Sequence, residues 1–277
     1  MTSREREDRA IRHFCERLAA IEEWGVNAVE RPDREKPGHG GCDAIIERGD
    51  RRFALEHTTI DSYSAQRADN HRFRTVVVPL EDAIRKAYPD SWIEICVPAG
   101  AVPTGTDWPR LAETLKEGCT EKIAQMPFGD QSYEFQLAGV PFPVLISRER
   151  RPQDPGCFVM RHAPGNLKAQ LLDNIARAIR KKRDQLAPYR LQGLPTILLL
   201  DSDETALINR HFLTEAFVTA ANRETVDGLD EVFIAETRRD PVWFYPVKLH
   251  SRIYPELPEF QWFCHQQYTL TYGDENF

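Results

Sequence analysis

The stretch CDAIIERGDRRFALEHTTID, residues 42–61, is two short apolar runs folded about Gly49 and Asp50, each carrying one carboxylate among its hydrophobic residues. A Gly-X pair is favoured chemistry at the centre of a two-residue hairpin turn. With Gly49 and Asp50 in that place, facing positions have numbers that sum to 99, so Asp43 lies opposite Glu56 and Ile45 opposite Ala54. Period-two alternation then puts Asp43, Glu56 and Thr58 on one face of the hairpin and Leu55 and His57 on the other. Two carboxylates directly opposed repel each other. The pair needs a compensating positive charge, and two sources fit: an arginine such as Arg51 or Arg52 on a solvent-exposed face, or a hard divalent cation. Mg2+ takes carboxylate oxygens, keeps several waters and turns the repulsion into a site for phosphate chemistry.

Around the hairpin the chain alternates between helical and strand patterns. Residues 4–23 place Ile11, Phe14, Cys15, Leu18 and Ile21 on one helical stripe. RPDREKPGHGG, residues 31–41, reads as a loop. Residues 73–88 read as helix, SWIEICVP (91–98) as strand and 106–126 as a second helix; YEFQL, FPVLIS and CFVM, between 133 and 160, read as short strands parted by turns. A long helix over 166–187 carries Leu167, Leu171, Ile175 and Ile179 at spacings of four, with Asn166 at its capping position. It leads into PTILLLD (195–201), a continuous apolar run typical of a strand buried on both faces. Helix 205–222 and the strands EVFIAE and VWFYPVKL complete the pattern. The expectation is one α/β domain spanning 1–277, a mixed central sheet flanked by helices, with residues of about 100–160 forming either an insertion or an extension of the sheet.

Composition narrows the function classes. The chain has 277 residues, 41% hydrophobic and 29% charged, as in an ordinary globular protein. No apolar run approaches the roughly 18 residues that span a bilayer, and the N-terminus lacks an apolar signal core, so a cytoplasmic protein with no membrane partner is expected. Six scattered cysteines with no CxxC pair read as reduced thiols; His39, Cys42 and His57 lack the closed four-ligand spacing of a zinc site. The formal charge of −7 argues against nonspecific coating of nucleic acid. Residues 161–190 nevertheless hold eight Lys or Arg against two Asp, a local patch that attracts phosphate.

An N-terminal helix, a loop, then Asp43 in CDAII and Glu56 in FALEHT on successive hairpin strands resembles the core of the PD-(D/E)XK nuclease superfamily, the restriction-endonuclease-like fold. The resemblance implies a three-layer sandwich around a mixed sheet and Mg2+-dependent hydrolysis of phosphodiester bonds, with Mn2+ as a substitute cation and DNA as the substrate. It implies that Asp43 and Glu56 hold the cation, with Glu7 or the backbone carbonyl of His57 completing its shell. Glu7 falls on the apolar stripe of the first helix between Phe14 and Leu18, where many members carry a metal-site Glu; a helix-dipole role for it is equally open. Gln185-x3-Tyr189 is similar to the Gln-x3-Tyr pattern of RecB-like members, with Pro188 inside it as a departure.

The main departure is the missing lysine, because Glu56-His57-Thr58 stands where the family has Glu-x-Lys. That lysine stabilises developing negative charge. Three outcomes remain open. A lysine of the basic helix, Lys168, Lys181 or Lys182, reaches the site, with Lys182 nearest the Ile175–Ile179 edge; Thr58 or a second metal substitutes; or the fold persists as an inactive nucleic-acid-binding or protein-binding module. For the active enzyme, Gln185 positions substrate or water, and Lys168, Arg177, Lys181, Lys182 and Arg183 contact the nucleic acid. A protein partner or a homodimer is compatible with either. No P-loop, dinucleotide fingerprint, nucleophile elbow or HExxH motif competes. His57, on the strand face opposite Glu56, reads as a core histidine rather than a general base.

Overall fold

A computed structural model describes residues 2–22, 25–35, 41–163, 165–202, 210–237 and 242–257. The chain begins with α1 (Ser3–Glu22), β1 (Val26–Glu30), the single turn α2 (Pro32–Glu35), β2 (Ala44–Arg48) and β3 (Arg51–Ile60). β2 and β3 form the hairpin with Ala44 facing Leu55 and Arg48 facing Arg51, the register a two-residue turn requires. Gly49 takes φ of +64°, a value glycine reaches without the Cβ penalty.

Residues 63–167 form a compact unit of their own. It contains α3 (Gln66–Val76), α4 (Pro79–Ala87), β4 (Ser91–Pro98), α5 (Trp108–Gln125), β5 (Gly129–Gln136), β6 (Pro143–Arg150) and β7 (Gly156–His162). Its four strands make a separate sheet in the order β5-β6-β4-β7. Alternate residues Ile93, Ile95 and Val97 of β4 face a core with Leu80, Ile84, Leu115, Cys119 and Ile123. Two helices stand where one was expected over 73–88, because Pro79 lacks the N–H needed to continue a helix and begins a new one instead. Buried Asp69 accepts from the Tyr63 hydroxyl, Arg161 Nη1 and the Gly100 N–H at 2.5, 2.9 and 3.0 Å.

The chain returns to the first unit with α6 (Leu167–Leu191), β8 (Thr196–Ser202), α7 (Arg210–Arg223), β9 (Glu231–Glu236), β10 (Trp243–Leu249) and β11 (Arg252–Ile253). The sheet order is β1-β2-β3-β8-β9-β10-β11, with β3, β8 and β9 parallel and the flanking pairs antiparallel. This unit is therefore α/β with a mixed sheet. The central strand β8 is buried along its whole length, as the run TILLLDS requires. α6 extends through Pro188 to Leu191, past the expected end at 187, and so brings Gln185 and Tyr189 onto one helix. β1 was not anticipated, because VNAVE is short and its edge position demands little apolarity. Among the described residues no helix is long and apolar enough to cross a membrane.

α1 packs Ile11, Phe14, Cys15 and Leu18 onto the sheet face formed by Ala44, Ile46, Leu55, Ile197, Leu199 and Phe233. Phe14, fully buried, meets Phe233 and Phe244 edge-on at centroid distances of 4.8 and 5.3 Å. Phe14→Ala is expected to lower the unfolding free energy by about 3–5 kcal/mol, measured by urea denaturation.

Candidate active site

The C-terminal half of β3 and the entry to β2 bring the two hairpin carboxylates together. Asp43 lies one residue before β2, next to the facing pair Ala44 and Leu55. Its Oδ2 accepts the backbone N–H of His57 at 2.7 Å, so β3 itself holds the carboxylate. The residue before it is held as well, because the Cys42 N–H donates to Tyr189 Oη of α6 at 3.0 Å. Gly41 fits because a Cβ there would lie 2.8 Å from the Pro32 carbonyl carbon and 2.9 Å from Asp33 N. That close approach lets the Asp33 N–H donate to the Cys42 carbonyl at 3.3 Å.

Glu56 projects from the opposite face of β3 to Leu55 and is fully buried. Lys182 Nζ donates to Glu56 Oε2. The reason is the helix stripe: Lys182 follows Ile175 by seven residues and Ile179 by three, so its stem shares the buried side of α6 and its amine emerges at the carboxylate. Glu56 Oε1 is buried and receives no hydrogen-bond donor. Desolvation first, and the neighbouring Asp43 charge second, push the Glu56 carboxyl up to about 8 against the opposing pull of Lys182. The pair thus lacks one positive charge, which either a proton or a cation supplies.

A second acidic group adjoins Asp43. Carboxylate oxygens of Glu7, Asp33 and Asp43 lie within 4.8 Å of one another. Arg34 Nη2 approaches Glu7 Oε1 at 3.3 Å and Arg31 Nη1 does so at 4.0 Å, neutralising the outer edge of the group. Asp33 Oδ1 is buried without a donor, and no arginine or lysine pairs with Asp33 or Asp43 among the described residues. Burial, then the Asp43 charge, raise the Glu7 pKa above the ordinary carboxylate range. The donor set is all oxygen, with two unpartnered buried acceptors beside Asp43, and this suits a hard divalent cation better than a thiophilic one.

The remaining expected residues are distributed as follows. Thr58 is half-buried on the Glu56 face of β3. Gln185, one turn along α6 from Lys182, has a buried Oε1 without a donor. His57 joins the site through its backbone, while its ring is buried and its Nε2 lies 3.2 Å from Asp201 Oδ2. Lys168 is exposed, 3.7 Å from Glu215, and Arg183 donates to Asp184 and to the Thr225 carbonyl. Arg177 and Lys181 are exposed with no ion-pair partner among the described residues. Arg161 belongs to the other unit and is spent on Asp69. His39 lies outside the described residues. Asp33 was missed as a site residue because its segment reads as a loop, and loops carry no periodicity to assign a face. Asp201 was missed because it reads as the polar end of a strand.

In comparisons with known proteins, no family matches this chain, and neither a curated protein nor a solved structure does.

Proposed function

We propose that the chain is a divalent-cation-dependent nuclease of the restriction-endonuclease-like kind, hydrolysing phosphodiester bonds in DNA, with Lys182 serving where the family has a lysine two residues after the hairpin Glu. The observation that carries this reading is the Lys182 amine on Glu56, delivered from α6 rather than from the hairpin. Asp43, Glu56, Glu7 and Asp33 are the residues that would hold Mg2+ or Mn2+, alongside the His57 carbonyl. A bound cation supplies Lewis acidity to the phosphate and acidifies a water.

The chain's own groups account for the rest of the chemistry. Lys182 places a desolvated ammonium where negative charge accumulates on the phosphorus oxygens in the transition state, the place at which a fixed charge lowers the barrier most. The His57 N–H and the Tyr189–Cys42 contact keep Asp43 in one orientation before substrate arrives. Gln185 contributes a buried, unfilled acceptor oxygen for a water or a sugar hydroxyl. Arg177 and Lys181, four residues apart on α6, form the part of the basic helix still free to meet a phosphate backbone. Arg177→Glu with Lys181→Glu is expected to weaken DNA binding equally for all sequences and to lower the slope of log K against log salt by about two, read by fluorescence anisotropy.

The inactive binding module is the second reading, favoured by Thr58 at the motif lysine's place. The deciding experiment incubates linear, circular and single-stranded DNA with wild type and Asp43→Ala in Mg2+, Mn2+ and EDTA. Metal-dependent cutting that Asp43→Ala loses supports the nuclease. DNA binding without cutting in any metal replaces it with the module.

A further inference from the structure

A carboxylate on a fully buried central strand is costly unless both of its oxygens are satisfied. Asp201 of β8 is fully buried, and two residues earlier Leu199 fills an equivalent place on the same face at no such cost. Both Asp201 oxygens are engaged. Oδ1 accepts the Thr237 hydroxyl at 2.7 Å and Oδ2 lies 3.2 Å from His57 Nε2. Thr237 is 1% exposed and His57 7%, so the three side chains form a closed polar line from the end of β9 across β8 to β3.

This line ends at the carboxylate cluster. The backbone N–H of the same His57 holds Asp43 Oδ2. A carboxylate only accepts, so the hydrogen between Asp201 and His57 sits on Nε2 and the contact orients the ring. The ring contact with β8 thus anchors the same residue whose peptide N–H, placed by β3, holds Asp43.

We propose that Asp201 and Thr237 are positioning residues that act through His57 to hold Asp43, and with it the cation-binding carboxylates, in place. The assignment rests on the cation-site reading above. It goes beyond that reading by placing functional weight on two buried residues that touch neither cation nor substrate. Groups hydrogen-bonded directly to metal ligands typically contribute about 10–100-fold to metal affinity; Asp201 reaches Asp43 through His57, and Thr237 reaches it through Asp201, so the lower end of that range is expected. An ordinary core polar pair contributes to stability alone.

The test is Mn2+ titration by calorimetry on wild type, Asp201→Asn, Thr237→Val and Thr237→Ser, with a urea denaturation curve for each. The expected result is Mn2+ binding weakened by about tenfold in Asp201→Asn, weakened in the same direction in Thr237→Val, and unchanged in Thr237→Ser. Wild-type affinity in the folded Asp201→Asn and Thr237→Val proteins, with only a lowered denaturation midpoint, overturns the positioning role. Should Asp201→Asn fail to fold, Thr237→Val decides, since it deletes one hydroxyl at constant shape. Failure of wild type to bind Mn2+ overturns the cation reading and this inference with it, a result separate from equal binding by all four proteins.

Discussion

If the chain is the proposed nuclease, replacing Lys182 with methionine is expected to lower the rate of DNA cleavage by on the order of 10²–10³-fold, the range found when a single fixed donor to transition-state charge is removed. Methionine keeps an apolar stem along the buried side of α6, so packing against Ile175 and Ile179 survives and only the ammonium is lost. Glu56 is left without its cation, but protonation relieves the buried charge, and the fold persists. Because the ammonium acts mainly on charge that develops during reaction, the loss falls on kcat with little change in KM, and single-turnover kinetics separate the two. Arginine at 182 is not an equivalent, since a planar fork cannot take the place of a point charge in a buried position. Equal losses from Lys168→Met would remove the distinction, because the Lys168 amine is exposed and 3.7 Å from Glu215.

Glu56→Gln is expected to abolish the proposed cleavage and at the same time to stabilise the cation-free protein. The folded-state pKa of Glu56, about 8, stands above its unfolded value of 4.5. Between these values the unfolded chain releases a proton that the folded chain retains, so the Glu56 contribution to stability is fully present below about pH 4.5 and is lost as pH rises through about 8. Glutamine carries no such proton. Wild type and Glu56→Gln should therefore have equal stabilities near pH 4, and the variant should lead by on the order of 3 kcal/mol at pH 7, measured by urea denaturation across pH. On the proposed cation site, Mg2+ favours the ionised carboxylate and is expected to raise the wild-type melting temperature, most of all at alkaline pH, with a smaller effect on the variant. Stability lost for the sake of a site is a common pattern in enzymes.

Much of the candidate site could be read from the hairpin alone. Gly49-Asp50 sets the register, the register sets Asp43 beside Glu56, and the alternation sends Leu55 to the α1 face and Glu56 to the α6 face. Lys182 was legible as a member of the α6 stripe, because a lysine spaced with Ile175 and Ile179 must bury its stem. Asp33 was not legible, since its approach depends on Gly41 lying against the Pro32 and Asp33 backbone, a contact with no sequence period. Nor was the Asp201–His57 pair, which joins residues 144 positions apart through parallel strand pairing. The separate sheet of residues 63–167 was only half visible: its strands could be found, but strand order is a property of long-range pairing that local patterns do not encode.

The most direct measurement is the DNA nicking rate of the double variant Lys182→Met with Thr58→Lys, beside wild type and Lys182→Met. Thr58 lies on the Glu56 face of β3, two residues along, so a lysine there approaches the same carboxylates from the hairpin. If the site works through a cation at Asp43 and Glu56 and one ammonium of any origin, the double variant regains activity to within about tenfold of wild type, a residual barrier of roughly 1.4 kcal/mol. Activity that stays at the Lys182→Met level in a folded, Mn2+-binding double variant, or a wild type that cuts DNA in no metal, contradicts the account.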